Sequence, residues 1–298
     1  MQPLVWLGKA LAALTDQGIV ALAGFSVTVL LARWLPPGQF GAYALAYSLF
    51  LFLAVFHNSL LLEPMSVFGP SNYRTNLPAY FGKLLRLHFA LTFLLSFLVA
   101  IGVVIFGRSH HDPSLASAAW GIGLGTPPIL LFWLWRRAAY VKLRPELAVR
   151  GAAIYFSVIL VLLLLFAHLH WLSPFTAFLA QASGAIAAST LLLLAIRPQL
   201  REREIGSHLS TILKEHWEYG RWMVAASLAY WLSGGAYYVL AGILLRMEDV
   251  AALSALQTVL APASQFLAAT TLLVLPWAAG RYTDGGGPAL QATMRFSD

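Results

Sequence analysis

Few ionisable side chains interrupt the long apolar stretches of this sequence, and they are the residues most able to do chemistry. Asp16, His57 and Glu63 each stand within such a stretch or at its end. A charge at the centre of a bilayer costs about 2.5–3.5 kcal/mol on insertion scales, so each group needs a partner or a role. Because a histidine titrates near neutral pH, the three could form a proton- or cation-binding cluster. The alternative is structural, with Asp16 capping its helix or snorkelling, Glu63 reaching water and His57 hydrogen-bonding a neighbour.

A second set of polar residues has the spacing of one helix face. Ser254, Gln257 and Gln265 follow that spacing, and Tyr237 and Tyr238 lie in the middle of the preceding apolar stretch. Amide and aromatic side chains suit the hydroxyl groups of a sugar, yet amide and small residues also join helices within membranes. Together with the group above, the candidate cavity and coupling residues are Asp16, Gln17, His57, Glu63, Tyr237, Tyr238, Gln257 and Gln265.

The segment between residues 136 and 150 is rich in basic residues, with five cations and one anion. Arginine suits a diphosphate group because its planar guanidinium donates parallel hydrogen bonds to phosphate oxygens. The other explanation is that these cations hold an inner loop beside anionic lipid headgroups. The candidate headgroup contacts are Arg136, Arg137, Arg144 and Arg221.

The composition excludes most other classes of protein. The chain has 298 residues, of which 59% are hydrophobic and 10% charged, and it has no cysteine. Soluble globular proteins have about 45–50% apolar and about 25% charged residues, so a soluble enzyme, a disordered chain and a disulfide scaffold are excluded. Without cysteine there is no thiol chemistry, iron–sulfur cluster or thiolate-bound zinc. No nucleophile–base pair stands out, and the outer His110-His111-Asp112 is a weak metal motif, so we expect no enzyme, metal or cofactor.

The elements that must position these residues are membrane-spanning helices. A span needs about 20 mostly apolar residues, because the hydrocarbon core is about 30 Å thick. Long continuous apolar runs favour helices over the short alternating segments of a membrane barrel. The predicted fold class is therefore an all-α polytopic membrane protein with about eight transmembrane helices. The predicted spans are Leu11–Ala32, Phe40–Leu62, Leu84–Phe106, Leu115–Trp135, Leu147–Ala167, Phe175–Ile196, Trp222–Leu245 and Val250–Trp277.

The distribution of lysine and arginine predicts the orientation. We name the side of the N-terminus side one. Alternating spans then place 16 of the 19 cations on side one and only Arg33, Arg108 and Arg246 on the other side. Basic residues remain on the cytoplasmic side, so the N-terminus is predicted to be cytoplasmic. Topology thus explains the net charge of +7, and we expect no nucleic-acid partner.

The first two and the last two spans have a similar layout, which is typical of transporters built from related halves. In each pair a short outer link carries one arginine, Arg33 or Arg246, and the second span closes near a proline, Pro64 or Pro276. The comparison predicts a six-helix N-terminal lobe over residues 1–205. Residues 206–298 would then hold only the seventh and eighth helices of a second lobe. We therefore expect a truncated chain or a fragment of a 12-helix parent.

Several motifs resemble those of one known transporter family. Leu14–Gly18, Leu30–Pro36 and Phe40–Ala44 resemble the start of bacterial polysaccharide flippases, the Wzx-type members of the multidrug/oligosaccharidyl-lipid/polysaccharide (MOP) exporter superfamily. Further motifs that resemble this family are Glu63-Pro64-Met65, Arg136–Val141, Arg144-Pro145 and His216–Trp222.

The resemblance implies two six-helix lobes that rock around a central cavity and carry a sugar chain on a polyprenyl diphosphate. It implies an inner-membrane protein of bacterial lipopolysaccharide or exopolysaccharide synthesis. The implied partners are the lipid-linked oligosaccharide, membrane lipids, H⁺ or Na⁺ as coupling ion, and the pathway's glycan polymerase and glycosyltransferases. One alternative is a drug/cation antiporter of the same superfamily, with Asp16 as its acidic site. Another is a membrane glycan polymerase or ligase, which the short outer loops disfavour.

Overall fold

The computed structural model describes residues 3–107, 113–199, 208–258 and 260, and in these ranges the chain is helical and contains no strand. A π-turn, Asn58–Leu62, joins the second and third helices, and a further helix starts at residue 247 and is described to residue 258. The all-α fold class is thereby confirmed. The helices are α1 (Pro3–Trp34), α2 (Pro37–His57), α3 (Glu63–Phe68), α4 (Leu77–Gly107), α5 (Pro113–Val141), α6 (Pro145–His168), α7 (Pro174–Ile196), α8 (Leu209–Gly234) and α9 (Ala236–Leu244).

Six helices in the described ranges are long and apolar enough to cross a membrane, and α8 with α9 makes a seventh if the bent pair is one span. These helices correspond to the first seven predicted spans. The eighth, Val250–Trp277, lies mostly outside the described residues. Large apolar side chains such as Phe93, Phe97 and Leu194 are exposed, as lipid-facing residues are. The polytopic membrane class is therefore confirmed.

The second span is longer than predicted. Its helical path does not stop at Leu62 but continues through the π-turn and α3 to Phe68. Pro64 does not end it: this residue lies in the first turn of α3, and the Leu60 carbonyl that would accept its missing N–H is bonded by His216 instead.

The seventh span also differs from the predicted span Trp222–Leu245. It begins at Leu209 and bends by 47° at Gly235, between α8 and α9. At the bend the Ser48 hydroxyl donates a hydrogen bond to the Gly235 carbonyl at 2.8 Å. The indole N–H of Trp231 donates to the Ser48 carbonyl at 3.2 Å. These two hydrogen bonds thus connect the bend to α2.

Helix α5 lies at the centre of the bundle and packs against α2, α4, α6 and α7. Gly121 on its buried face allows the close approach of α7. A Cβ added at Gly121 would lie 2.9 Å from the ring of Phe178, whereas one at Gly125 would lie at an ordinary contact distance of 3.7 Å from Phe178 Cβ. The helix continues through Pro127 and Pro128, both of which stand inside it.

Contacts between helix ends agree with the predicted alternation of direction. Lys142 donates to the Ile196 carbonyl at 3.2 Å, which brings together the ends of α5 and α7. The Gln199 N–H donates to the carbonyl of Pro78 at 2.7 Å, which adds the start of α4. The sequence assigns all three ends to side one. That side one is cytoplasmic stays a prediction, as does the lobe boundary at residue 205.

Gly184 on α7 offers a test of the helix packing. Replacing it with alanine would place a Cβ 2.8 Å from the Tyr155 carbonyl oxygen and 3.0 Å from Ile159 Cγ1. We expect Gly184→Ala to lower the free energy of unfolding by about 1–3 kcal/mol, because α6 and α7 must separate. Gly102→Ala on α4 is the matched control, since nothing lies within 4 Å of its added Cβ. Thermal unfolding in detergent would contradict the packing if both variants behaved alike.

Candidate functional site

Asp16 on α1 is fully buried and forms an ion pair with α5. Its carboxylate accepts hydrogen bonds from Arg136 Nε at 2.8 and 2.9 Å, and Arg136 Nη2 lies 2.7 Å from Oδ2. The hydroxyl of Tyr140, one turn further along α5, donates to the same Oδ2 at 2.5 Å. Gln17 also hydrogen-bonds the Tyr140 side chain. Both oxygens of this carboxylate are therefore occupied by the protein's own donors.

Glu63 forms a second ion pair with the next residue of α5. Arg137 donates from Nη2 to Glu63 Oε1 at 3.3 Å and from Nη1 to the Ser66 hydroxyl at 3.1 Å. The side chains of Arg137 and Glu63 are 34% and 28% exposed, whereas those of Arg136 and Asp16 are 15% and 0% exposed. The two pairs thus differ in their access to solvent.

The basic segment from residue 136 to residue 150 is not one long loop, as the sequence suggested. Arg136 and Arg137 are part of α5, and only residues 142–144 separate α5 from α6. Arg144 is exposed there and pairs with Glu146 at 3.1 Å. Arg136 and Arg137 form ion pairs within the helix bundle. The composition of the segment alone did not predict these pairs.

His57 lies apart from the carboxylates and pairs with a histidine of α4. His57 Nε2 and His88 Nδ1 are 2.9 Å apart, and the two rings are nearly perpendicular. Both side chains are fully buried. The predicted trio of Asp16, His57 and Glu63 is therefore replaced by two carboxylate–arginine pairs and one pair of histidines. His88 escaped the sequence search because nothing in its neighbourhood separates it from other residues near the start of a span.

The π-turn after His57 leaves two backbone carbonyls without their usual helical partners. In a regular α-helix the N–H of residue i+4 bonds the carbonyl of residue i. The Glu63 N–H instead bonds the Asn58 carbonyl, so it is not available to Ser59. The donor that Leu60 would need is at position 64, which is a proline without an N–H.

Helix α8 docks on this pair of carbonyls. His216 Nδ1 lies 2.8 Å from the Leu60 carbonyl and must donate to it, since a carbonyl only accepts. In its neutral form His216 then accepts through Nε2 from the hydroxyl of Tyr80, at 2.7 Å. One turn later Gly220 faces the Ser59 carbonyl, where an added Cβ would lie at 2.7 Å.

Further contacts surround the docking point. Tyr73 stacks on Tyr80 with centroids 4.2 Å apart and donates to Glu215 at 2.6 Å. The hydroxyls of Ser59 and Ser227 lie 3.3 Å apart. The motifs His216–Trp222 and Glu63-Pro64-Met65 are therefore linked. Pro64 has no N–H to donate to the Leu60 carbonyl, and His216 donates to that carbonyl instead.

The remaining candidate residues from the sequence lie on α8, on α9 and in the segment that follows α9. Tyr237 on α9 is exposed, and Tyr238 hydrogen-bonds Ser254. The side chain of Gln257 is exposed, and Gln265 lies outside the described residues. Arg221 lies 5.4 Å from the ring centroid of its neighbour Trp222. Tyr238 is thus joined to Ser254, while the cavity role of these residues and the single polar stripe stay predictions.

No protein-family model matches this sequence, and no curated protein matches it. Two solved structures have a similar fold. One, described as protein A, has a TM-score of 0.72 and 14% identity, and the match covers 87% of this chain and 61% of that one. The other is an inward-facing conformation of a multidrug resistance MATE family transporter of the MOP superfamily. Its TM-score is 0.70 at 14% identity, and the match covers 94% of this chain and 68% of that one. The chain shares the fold of these two structures and spans about 61–68% of their length.

The Asp16–Arg136 pair is expected to be strongly coupled. Arg136→Met leaves a buried carboxylate without its cation, so the free energy of unfolding should fall by about 3–5 kcal/mol. The double variant Asp16→Asn/Arg136→Met should lose less than the sum of the single variants. Arg137→Met is the control, because its pair is part-exposed and should contribute about 0–1 kcal/mol. Additive losses in a double-mutant cycle of thermal unfolding would contradict the coupling.

The docking of α8 can be tested by cross-linking, since the chain has no native cysteine. Ser59→Cys with Ser227→Cys should form a disulfide on mild oxidation, because the two hydroxyls are 3.3 Å apart. Ser59→Cys with Ser233→Cys is the control, since Ser233 is exposed and bonds within its own helix. Adding Gly220→Val should reduce the yield, and equal yields in all three proteins would show that α8 does not dock at this point.

Proposed function

We propose that the protein is a membrane transporter that moves a polyprenyl-diphosphate-linked oligosaccharide across the bilayer by alternating access. The observation that carries the proposal is the similarity of fold to a MOP superfamily transporter over 94% of this chain. The sequence motifs that resemble polysaccharide flippases support the choice of substrate within that superfamily. Movement would come from rearrangement of helices, with no covalent step.

The state of the buried carboxylates favours a flippase over a drug/cation antiporter. The antiporter considered from the sequence would use Asp16 as the acidic group that binds and releases a cation. Asp16 has both oxygens engaged by Arg136 and Tyr140, and Glu63 is engaged by Arg137. The other carboxylates in the described ranges lie within three turns of a helix start, and they are Glu146, Glu215, Glu218, Glu248 and Asp249.

Two exposed arginines on side one are the best first contacts for the diphosphate. Arg144 projects from the short link between α5 and α6, and Arg221 lies beside the exposed ring of Trp222. In the interfacial region of the membrane, a guanidinium can bind the phosphate groups of a lipid while a neighbouring aromatic ring contacts its apolar chain. Arg136 and Arg137 form ion pairs with residues of other helices, whereas Arg144 pairs only with the nearby, exposed Glu146, so we assign the first two to the bundle and not to the headgroup.

A glycan polymerase or ligase remains less favoured, because such an enzyme would need a large outer loop for its catalytic groups. In the described part of the chain the links on the other side are short: residues 35–36 join α1 to α2, and residues 169–173 join α6 to α7.

The proposal predicts that the chain restores surface glycan in a bacterial strain whose polysaccharide flippase gene has been deleted. Arg221→Gln should reduce the restored glycan about tenfold or more, since a hydrogen bond to a charged group is worth about 1.5–3 kcal/mol. Arg246→Gln, exposed on the other side, should leave it unchanged at equal expression. The measurement is surface glycan per membrane-bound protein. Drug resistance or ethidium efflux without any glycan would contradict the flippase and favour the antiporter.

A further inference from the structure

We infer that the His57–His88 pair is a binding site for a single proton, and, if the proposed transport function holds, that this proton is the coupling ion. The pair joins α2 to α4 through one short contact, His57 Nε2 to His88 Nδ1 at 2.9 Å. Both side chains have an exposed fraction of 0%. No sequence motif marks the pair, and the structure alone brings the two rings together.

The hydrogen bonds of the pair determine how many protons it can take. Two neutral imidazoles hold two N–H protons, and one of these lies between Nε2 of His57 and Nδ1 of His88. The second proton is on one of the two outer nitrogens, and the other outer nitrogen keeps a lone pair. One added proton fills that lone pair and preserves the central N–H···N bond. A further proton would place two N–H groups against each other, so the pair accepts one proton and no more.

The surroundings indicate which nitrogen receives the proton. His57 Nδ1 and His88 Nε2 make no hydrogen bond of normal geometry within the described residues. The backbone of Pro127 on α5 faces the His88 ring and favours an N–H there. The free lone pair is then on His57 Nδ1.

The pair has no charged neighbour to compete for the proton. Among the described residues, the aromatic contacts of the two rings are with each other and with the ring of Phe89, and neither ring forms an ion pair or a hydrogen bond with a charged side chain. The nearby hydroxyl of Thr92 is engaged with the His88 carbonyl at 2.8 Å. The two imidazoles are therefore the groups that must share an added proton.

The ligand chemistry selects a proton over Na⁺. Sodium requires several oxygen ligands, whereas the pair offers only imidazole nitrogens. Within the described residues no group of three or more His, Cys, Asp or Glu side chains is placed to hold a metal ion. Both oxygens of Asp16 are engaged by Arg136, and Oε1 of the part-exposed Glu63 is engaged by Arg137. The histidine pair is therefore the buried ionisable group that is left to exchange a cation.

The pair also lies next to the docking point of α8. His57 immediately precedes the π-turn, whose Ser59 and Leu60 carbonyls face Gly220 and His216. A proton on His57 places a positive charge within one turn of these carbonyls. The site therefore adjoins the contact between α2 and the helix that begins the predicted second lobe.

Nitrogen NMR of the full chain, labelled with ¹⁵N-histidine in lipid nanodiscs, tests the proton site directly. In a titration from about pH 8 down to about pH 3.5, His57 and His88 should change together with uptake of one proton. His88→Gln keeps a hydrogen-bonding group beside His57 but cannot share the proton, so the joint step should disappear. A pair that stays neutral until the protein unfolds, or that takes up two protons, would overturn the site.

Transport in proteoliposomes tests the coupling. The probe is a fluorescent polyprenyl-diphosphate oligosaccharide, and the unmodified chain should change its accumulation about tenfold per pH unit of gradient for each coupled proton. His88→Gln should still move the probe down its own gradient but lose the dependence on pH. The same pH dependence in both proteins would overturn the coupling role. Absence of flipping by the unmodified chain would overturn the proposed function, while the NMR titration would still decide the proton site.

Discussion

Lipid offers no hydrogen bonds, and this constraint determines where the polar groups of the bundle lie. A carbonyl that loses its helical partner must find another donor from within the protein. Pro64 removes the donor for the Leu60 carbonyl, and His216 supplies one from α8. A proline in one helix thereby specifies where a distant helix docks. The same requirement brings Arg136 and Tyr140 to the buried carboxylate of Asp16.

Helix α5 connects the packing core to the candidate site. Its glycine face accepts Phe178 of α7, its Pro127 backbone faces His88, and its last turns carry both arginines of the ion pairs. Because buried ion pairs lose much of their Coulomb energy to desolvation, their geometry must be accurate to be favourable. The close packing of α5 against α2, α4, α6 and α7 supplies that accuracy. The arrangement of charges therefore depends on small residues some distance away along the same helix.

The sequence predicted the class of fold and the first seven spans, because hydrophobic length is a direct consequence of bilayer thickness. It also identified Asp16, His57 and Glu63 as unusual. It could not predict their partners, since Arg136 and Arg137 looked like loop cations and His88 looked like a residue near a helix end. Which side chains pair across two helices depends on the direction in which each side chain points from its helix axis. Consecutive residues of a helix point about 100° apart, so a shift of one residue changes the partner. The bend at Gly235 was missed for a similar reason, because Ser48 and Trp231, which fasten it, are far apart in the sequence.

Arg136 and Arg137 are consecutive residues, yet they pair with carboxylates on different helices, α1 and α3. Consecutive side chains of a helix point about 100° apart, so the two pairs hold α5 from two directions. A twist of α5 about its own axis that improved one pair would pull the other apart. The two pairs thus oppose rotation of α5 relative to α1 and α3, and the fully buried pair contributes most of that resistance. A rearrangement that separated α1 from α5 would have to expose or neutralise the carboxylate of Asp16, whereas contacts without such paired charges could slide more freely.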